Sequence, residues 1–141
     1  MNRISFGVAA LAACLISGAA RAEMLDFHAP LAGASEVPAN QSKGSGASVI
    51  TLDTATKVLS YTVTFKDLSG AATAAHFHGP AAAGVVAAPV VPLASRTSPS
   101  KGTATLTDAQ IADLRAGKWY VNVHTAAIPG GEIRGQVIRG K

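Results

Sequence analysis

From residue 59 to 66 the chain alternates strictly: Leu59, Tyr61, Val63 and Phe65 occupy one set of positions, Ser60, Thr62, Thr64 and Lys66 the other. A period of two places each set on its own face of a strand, which predicts a half-buried antiparallel strand with its apolar side inward. Residues 25–29, 48–52, 71–78, 119–124 and 132–139 read the same way. Turn formers separate them: Pro30 and Gly33, the segment 53–57, Gly79-Pro80, and Ile128-Pro129-Gly130-Gly131. The apolar stretch 85–93 contains Pro89 and Pro92, which predicts an edge strand or an irregular extended segment. The Ser/Pro-rich residues 94–101 read as a loop. Thr107 and Gln110 have capping-box spacing, Ile111 and Leu114 share a face, and Gly117 supplies a stop, so a short helix is expected over about 107–116. Seven or eight strands and one short helix predict an all-β domain, a β-sandwich or Greek-key barrel.

The N-terminus changes the picture from any soluble domain to an exported one. A basic start at Arg3 is followed by an apolar, small-residue run over 4–18, and Ala20-Arg21-Ala22 is a leader-peptidase pattern. The reading is a signal peptide over 1–22 and one domain over 23–141, periplasmic or secreted. A second reading of the same segment, a lipoprotein box ending at Cys14, competes with it. Cys14 is the only cysteine, so cleavage after Ala22 leaves neither disulfide nor thiolate. No later run is long and apolar enough to span a membrane. The full chain has a formal charge of +4, and removing Arg3 and Arg21 brings it to +2. The remaining basic residues are scattered without interleaved aromatics, which argues against nucleic acid as a partner.

Three of the four histidines fall in two short motifs, Ala75-His76-Phe77-His78-Gly79-Pro80 and Val121-Asn122-Val123-His124-Thr125. Residues i and i+2 share a strand face, so His76 and His78 point the same way, roughly 6.7 Å apart along the strand. That spacing suits two ligands of one ion and predicts little direct contact between the rings. His124 completes a three-histidine set if its strand lies alongside, on the more polar face of Tyr120, Asn122 and His124. Imidazole ligands suit copper or zinc; export favours copper, with zinc the alternative. His28 is a candidate fourth ligand, and Asn122 a hydrogen-bonding partner that would orient His124. The competing reading is structural: His76 and His78 bond nearby backbone or cap the Gly79-Pro80 turn. Glu132 and Arg134 are expected to form a surface ion pair, while Tyr61, Phe65 and Trp119 are core candidates. There is no nucleophile elbow, no zinc-protease helix, no phosphate-cradling loop and no paired carboxylates.

Four segments in order, 31–38 (Leu-Ala-Gly-Ala-Ser-Glu-Val-Pro), 74–81 (Ala-Ala-His-Phe-His-Gly-Pro-Ala), 117–125 and 129–136, resemble the CHRD domain, the module named after chordin. The resemblance implies an extracytoplasmic β-sandwich and no particular reaction. The His-x-His strand, the distant third histidine and the late Arg134 are also similar to the copper half of Cu/Zn superoxide dismutases. That likeness implies a superoxide-dismutase-like fold, with His76, His78 and His124 as ligands and Arg134 as an anion-guiding cation. The chain departs from it in lacking the disulfide, the zinc loop and a bridging histidine. Three functions are therefore in play. The first is metal binding for copper storage, delivery or tolerance; the second is a metal-free module for a protein or glycan partner. The third is a copper-only dismutase.

Overall fold

The structure is a computed structural model and describes residues 21–141; Cys14 and the apolar leader run lie outside the described residues. Nine strands and one helix follow in order: β1 (Met24–Ala32), β2 (Ser45–Asp53), β3 (Val58–Lys66), β4 (Ala72–His78), β5 (Pro89–Pro92), β6 (Ser100–Thr105), α1 (Asp108–Arg115), β7 (Tyr120–Thr125), β8 (Ile133–Gln136) and β9 (Ile138–Arg139). They form one antiparallel sheet ordered β5-β4-β7-β8-β1-β2-β3-β6, with β9 also on β1. The chain passes from one half of this order to the other after β3, after β5 and after α1, as a Greek-key arrangement requires.

Alternation explains the closure. On β1, Leu25, Phe27, Ala29 and Leu31 are buried while the residues between them are exposed. Leu59, Tyr61 and Val63 do the same on β3, with Phe65 packed half-buried at the rim. Apolar faces from both halves of the sheet must meet, and they do: Tyr61 on β3 and Phe77 on β4 pack edge-to-face at 5.2 Å although their strands are not neighbours. Trp119 joins Phe77 at 6.1 Å. The result is a nearly closed barrel or flattened sandwich around a single core. Burying each large side chain of this kind contributes about 1.5–3 kcal/mol.

Helix α1 begins as expected, with Thr107 Oγ1 accepting from Gln110 N at 3.1 Å and Gln110 Oε1 accepting from Thr107 N at 2.9 Å. Gly117 ends it in the left-handed region, φ 70°. Two elements differ from expectation. Residues 100–105, partly read as loop, form β6, six residues paired with β3 along the sheet edge. Its mostly polar sequence carries no apolar alternation, so its pairing comes from register rather than pattern. β1 continues through Pro30, because on its β8/β9 side only Phe27, His28 and Ala32 are paired. Among the described residues no helix is long and apolar enough to cross a membrane.

Candidate metal centre

β4 and β7 lie side by side in antiparallel register, with Ala74 opposite His124, His76 opposite Asn122 and His78 opposite Tyr120. Phe77, Val121 and Val123 turn into the core, so His76, His78, Asn122 and His124 all project from the other face. Register thus does what the sequence spacing asked of it. One imidazole nitrogen from each of His76, His78 and His124 lies within 4.8 Å of the others. Ligands in a tetrahedral site at zinc–nitrogen lengths stand roughly 3.4 Å apart, so modest side-chain rotation closes the triangle on an ion. The rings are also nearer than strand spacing suggests. His76 meets His78 at 5.5 Å and His124 at 5.5 Å, both edge-to-face.

The hydrogen bonds around the rings select their free nitrogens. His124 Nδ1 donates to the Pro129 carbonyl at 2.9 Å, which leaves Nε2 as a lone pair. That Nε2 and His76 Nδ1 are both buried without a partner. His78 Nδ1 donates to the Ala87 carbonyl at 3.0 Å. One ring nitrogen held by a carbonyl, with the other left without a partner as in His124, is the arrangement that orients metal-binding histidines. Burial holds His76 and His78 below the ordinary imidazole value, and the neighbouring histidines reinforce it; for His78 the bonds to Ala87 and Asn122 oppose it. Neutral rings are the form that ligates.

The polar face of β7 is more enclosed than its sequence suggests. Both Tyr120 and Asn122 are buried, Asn122 against Glu36 and the Gly131 turn and Tyr120 beneath the loop between β4 and β5. Tyr120 Oη exchanges bonds with the backbone of Ala87, both at 3.2 Å. Arg134 donates to the Val85 carbonyl, and Gln136 Nε2 to that of Ala81 at 2.9 Å. Since β7 lies between β4 and β8, the Tyr120 ring has His78 stacked against it at 4.6 Å from one side and the Arg134 guanidinium at 3.4 Å from the other.

Several expectations are corrected here. Arg134 is 2 % exposed, so it straps a loop and is not presented to solvent as a guiding cation. Glu132 is fully buried and does not pair with Arg134; its carboxylate accepts from Ser42, Ser69 and Thr125. Asn122 turns to His78 instead of His124, with Oδ1 2.9 Å from His78 Nε2. His28 is exposed on β1 beside Val49 and Ile138, and the structure does not bring it to the other three histidines.

Glu36 is the residue the sequence reading passed over. Its buried carboxylate accepts from Asn122 Nδ2 at 3.4 Å. Burial raises its pKa, against the lowering influence of the Val37 backbone, Arg134, Asn122 and His124. Gly131, with φ 131°, lets the 128–131 turn pass directly over this pair, for any Cβ there would run into Glu36 and Asn122. Both Glu36 and Gly131 sit inside segments that carry the family resemblance, so that resemblance was their available signal.

No curated protein and no solved structure gives a significant match to the chain. The model of the CHRD domain matches residues 27–137, from the second buried position of β1 to the end of the β8 region, and includes every residue of the histidine face. The chain belongs to the CHRD-domain family.

Proposed function

We propose that this domain is an exported metal-binding module that holds one copper ion through His76, His78 and His124, in storage, delivery or tolerance of the metal. The observation behind it is a triangle of imidazoles on one sheet face, two of them with buried nitrogens that have no hydrogen-bond partner. An all-imidazole triangle suits copper and zinc, and copper is the stronger binder of the two at such a site. Zinc is the alternative ion.

Calorimetric titration of metal-stripped protein with copper(II) and with zinc tests this. One ion should bind per chain, and ion at a hundredfold excess over Kd should raise stability by about 2.7 kcal/mol. His76→Ala/His78→Ala/His124→Ala should lose both effects; parent-like affinity in that variant sinks the site. The metal-free module has its own observation in favour: Val85 and Val86, 51 % and 65 % exposed, stand at the tip of the strapped loop. If the parent binds neither ion, that loop becomes the surface to pursue.

A further inference from the structure

Asn122 shares the sheet face of the three histidines. It is the cross-strand partner of His76, two residues from His124 on the same strand face, and diagonal to His78. Its amide is held in one sense, because Nδ2 faces the Glu36 carboxylate at 3.4 Å and Oδ1 is thereby aimed at the histidines.

The contact with His78 is chemically unusual. His78 Nδ1 already gives its proton to the Ala87 carbonyl. In the singly protonated ring, Nε2 is then a lone pair 2.9 Å from Asn122 Oδ1, itself an acceptor. Two acceptors at that distance need a cation between them, either a second proton on the ring or a metal ion. His76 Nδ1 and His124 Nε2 are buried beside them without a hydrogen-bond partner. Three imidazoles and an amide oxygen thus share one face, and a separation of 2.9 Å is close to that of neighbouring ligands around a small ion.

We infer that Asn122 Oδ1 is a fourth metal ligand, making the site a three-nitrogen, one-oxygen set with Glu36 as the outer group that orients the amide. This rests on the metal-binding reading above and extends it. An oxygen donor adds hard character, so the set suits a divalent ion, copper(II) or zinc(II), better than copper(I), which soft sulfur ligands select. Glu36 then does for the amide what a backbone carbonyl does for His78 and His124.

The probes are zinc(II) by calorimetry and cobalt(II) by visible absorption, on the metal-stripped parent, Asn122→Ala, Asn122→Asp/Glu36→Gln and the triple histidine variant. Asn122→Ala should bind zinc at least tenfold more weakly and shift the cobalt ligand-field bands, while Asn122→Asp/Glu36→Gln, which keeps an oxygen ligand facing an amide donor, binds zinc tenfold or more tighter than the parent. A folded Asn122→Ala with parent affinity and parent cobalt bands overturns the assignment and leaves the three-histidine site standing. Should the alanine variant fail to fold, the double variant decides: affinity equal to or below that of the parent overturns it. A parent that binds neither probe removes the underlying reading instead.

Discussion

The two faces of β7 carry polar clusters of opposite character. At the end of the core face, Glu132 is saturated. Oε1 accepts from Ser42 Oγ at 2.6 Å and Ser69 N at 2.8 Å, and Oε2 from Ser69 Oγ and Thr125 Oγ1, both at 2.6 Å. On the other face, His76 Nδ1 and His124 Nε2 have no partner, and His78 Nε2 meets a second acceptor. A buried polar group costs free energy unless it is bonded. The first cluster repays that cost within the chain and ties together loops at 42 and 69 and the end of β7. The second leaves the cost standing, which is what a site completed by something from outside looks like.

The largest effect should come from breaking the saturated cluster. Glu132→Ala removes the acceptor of three hydroxyls and a backbone N–H, of which only Thr125 Oγ1 is fully buried, and should cost about 3 kcal/mol, each bond to a buried charged group being worth roughly 1.5–3 kcal/mol without full additivity. His76→Ala in metal-free protein should cost about 1 kcal/mol or less, because its buried nitrogen has no bond to lose. Urea unfolding of both variants without metal makes the contrast directly. Similar losses in the two would mean that the faces do not differ as described.

Acid separates the clusters by window. Glu132 is held at about 2 against a usual 4.5: burial acts upward on it, but the bonds from Ser42, Ser69 and Thr125 outweigh burial. Its folded value is depressed, so its stabilisation is complete above 4.5 and is lost as pH falls toward 2. His76 and His78 are depressed bases, lowered from 6.5 by burial first. Below 6.5 the unfolded chain takes up protons that the folded rings refuse, so stability falls there as pH drops toward the folded values. Glu36, raised by burial, works in the opposite sense and weakens the fold as it ionises above 4.5. Metal-free protein should therefore lose stability in two stages on acidification. Replacing His76 and His78 should abolish the upper stage and leave the lower one; a single stage unaffected by either residue would contradict this.

Where a strand has one wet face, its sequence shows it. The alternation at 59–66, the capping box at Thr107 and the i, i+2 pair of His76 and His78 each state a local geometry that the fold reproduces. The polar edge strand β6 and the burial of Tyr120 and Asn122 were not legible, because both depend on partners distant in the chain. β6 has its order from β3, and the β7 face is closed by a loop that His78, Tyr120, Arg134 and Gln136 hold over Tyr120 and by the 128–131 turn over Asn122. For the same reason Glu132 and Arg134 looked like neighbours on a surface. One is a hub for Ser42, Ser69 and Thr125, and the other reaches across β7 to a carbonyl in the strapped loop. Periodicity records which face a side chain takes, and it is silent on what later covers that face.

The smallest change tests the cover itself. Tyr120→Phe keeps the ring between His78 and Arg134 and deletes only the hydroxyl that accepts from Ala87 N and donates to Ala87 O. Global stability should fall by about 1 kcal/mol or less, the net worth of an ordinary hydrogen bond. Its local signature should be clearer: the Ala87 amide, deprived of its acceptor, should exchange with solvent faster, while amides of β1–β3 keep their protection. A loosened loop also lets water nearer to His78, whose depressed pKa comes first from burial. The upper acid stage should then shrink in Tyr120→Phe and the Glu132 stage stay where it is. Unchanged exchange at Ala87, or equal movement of both stages, would show that the loop is not what distinguishes the open-valence face of β7 from the saturated one.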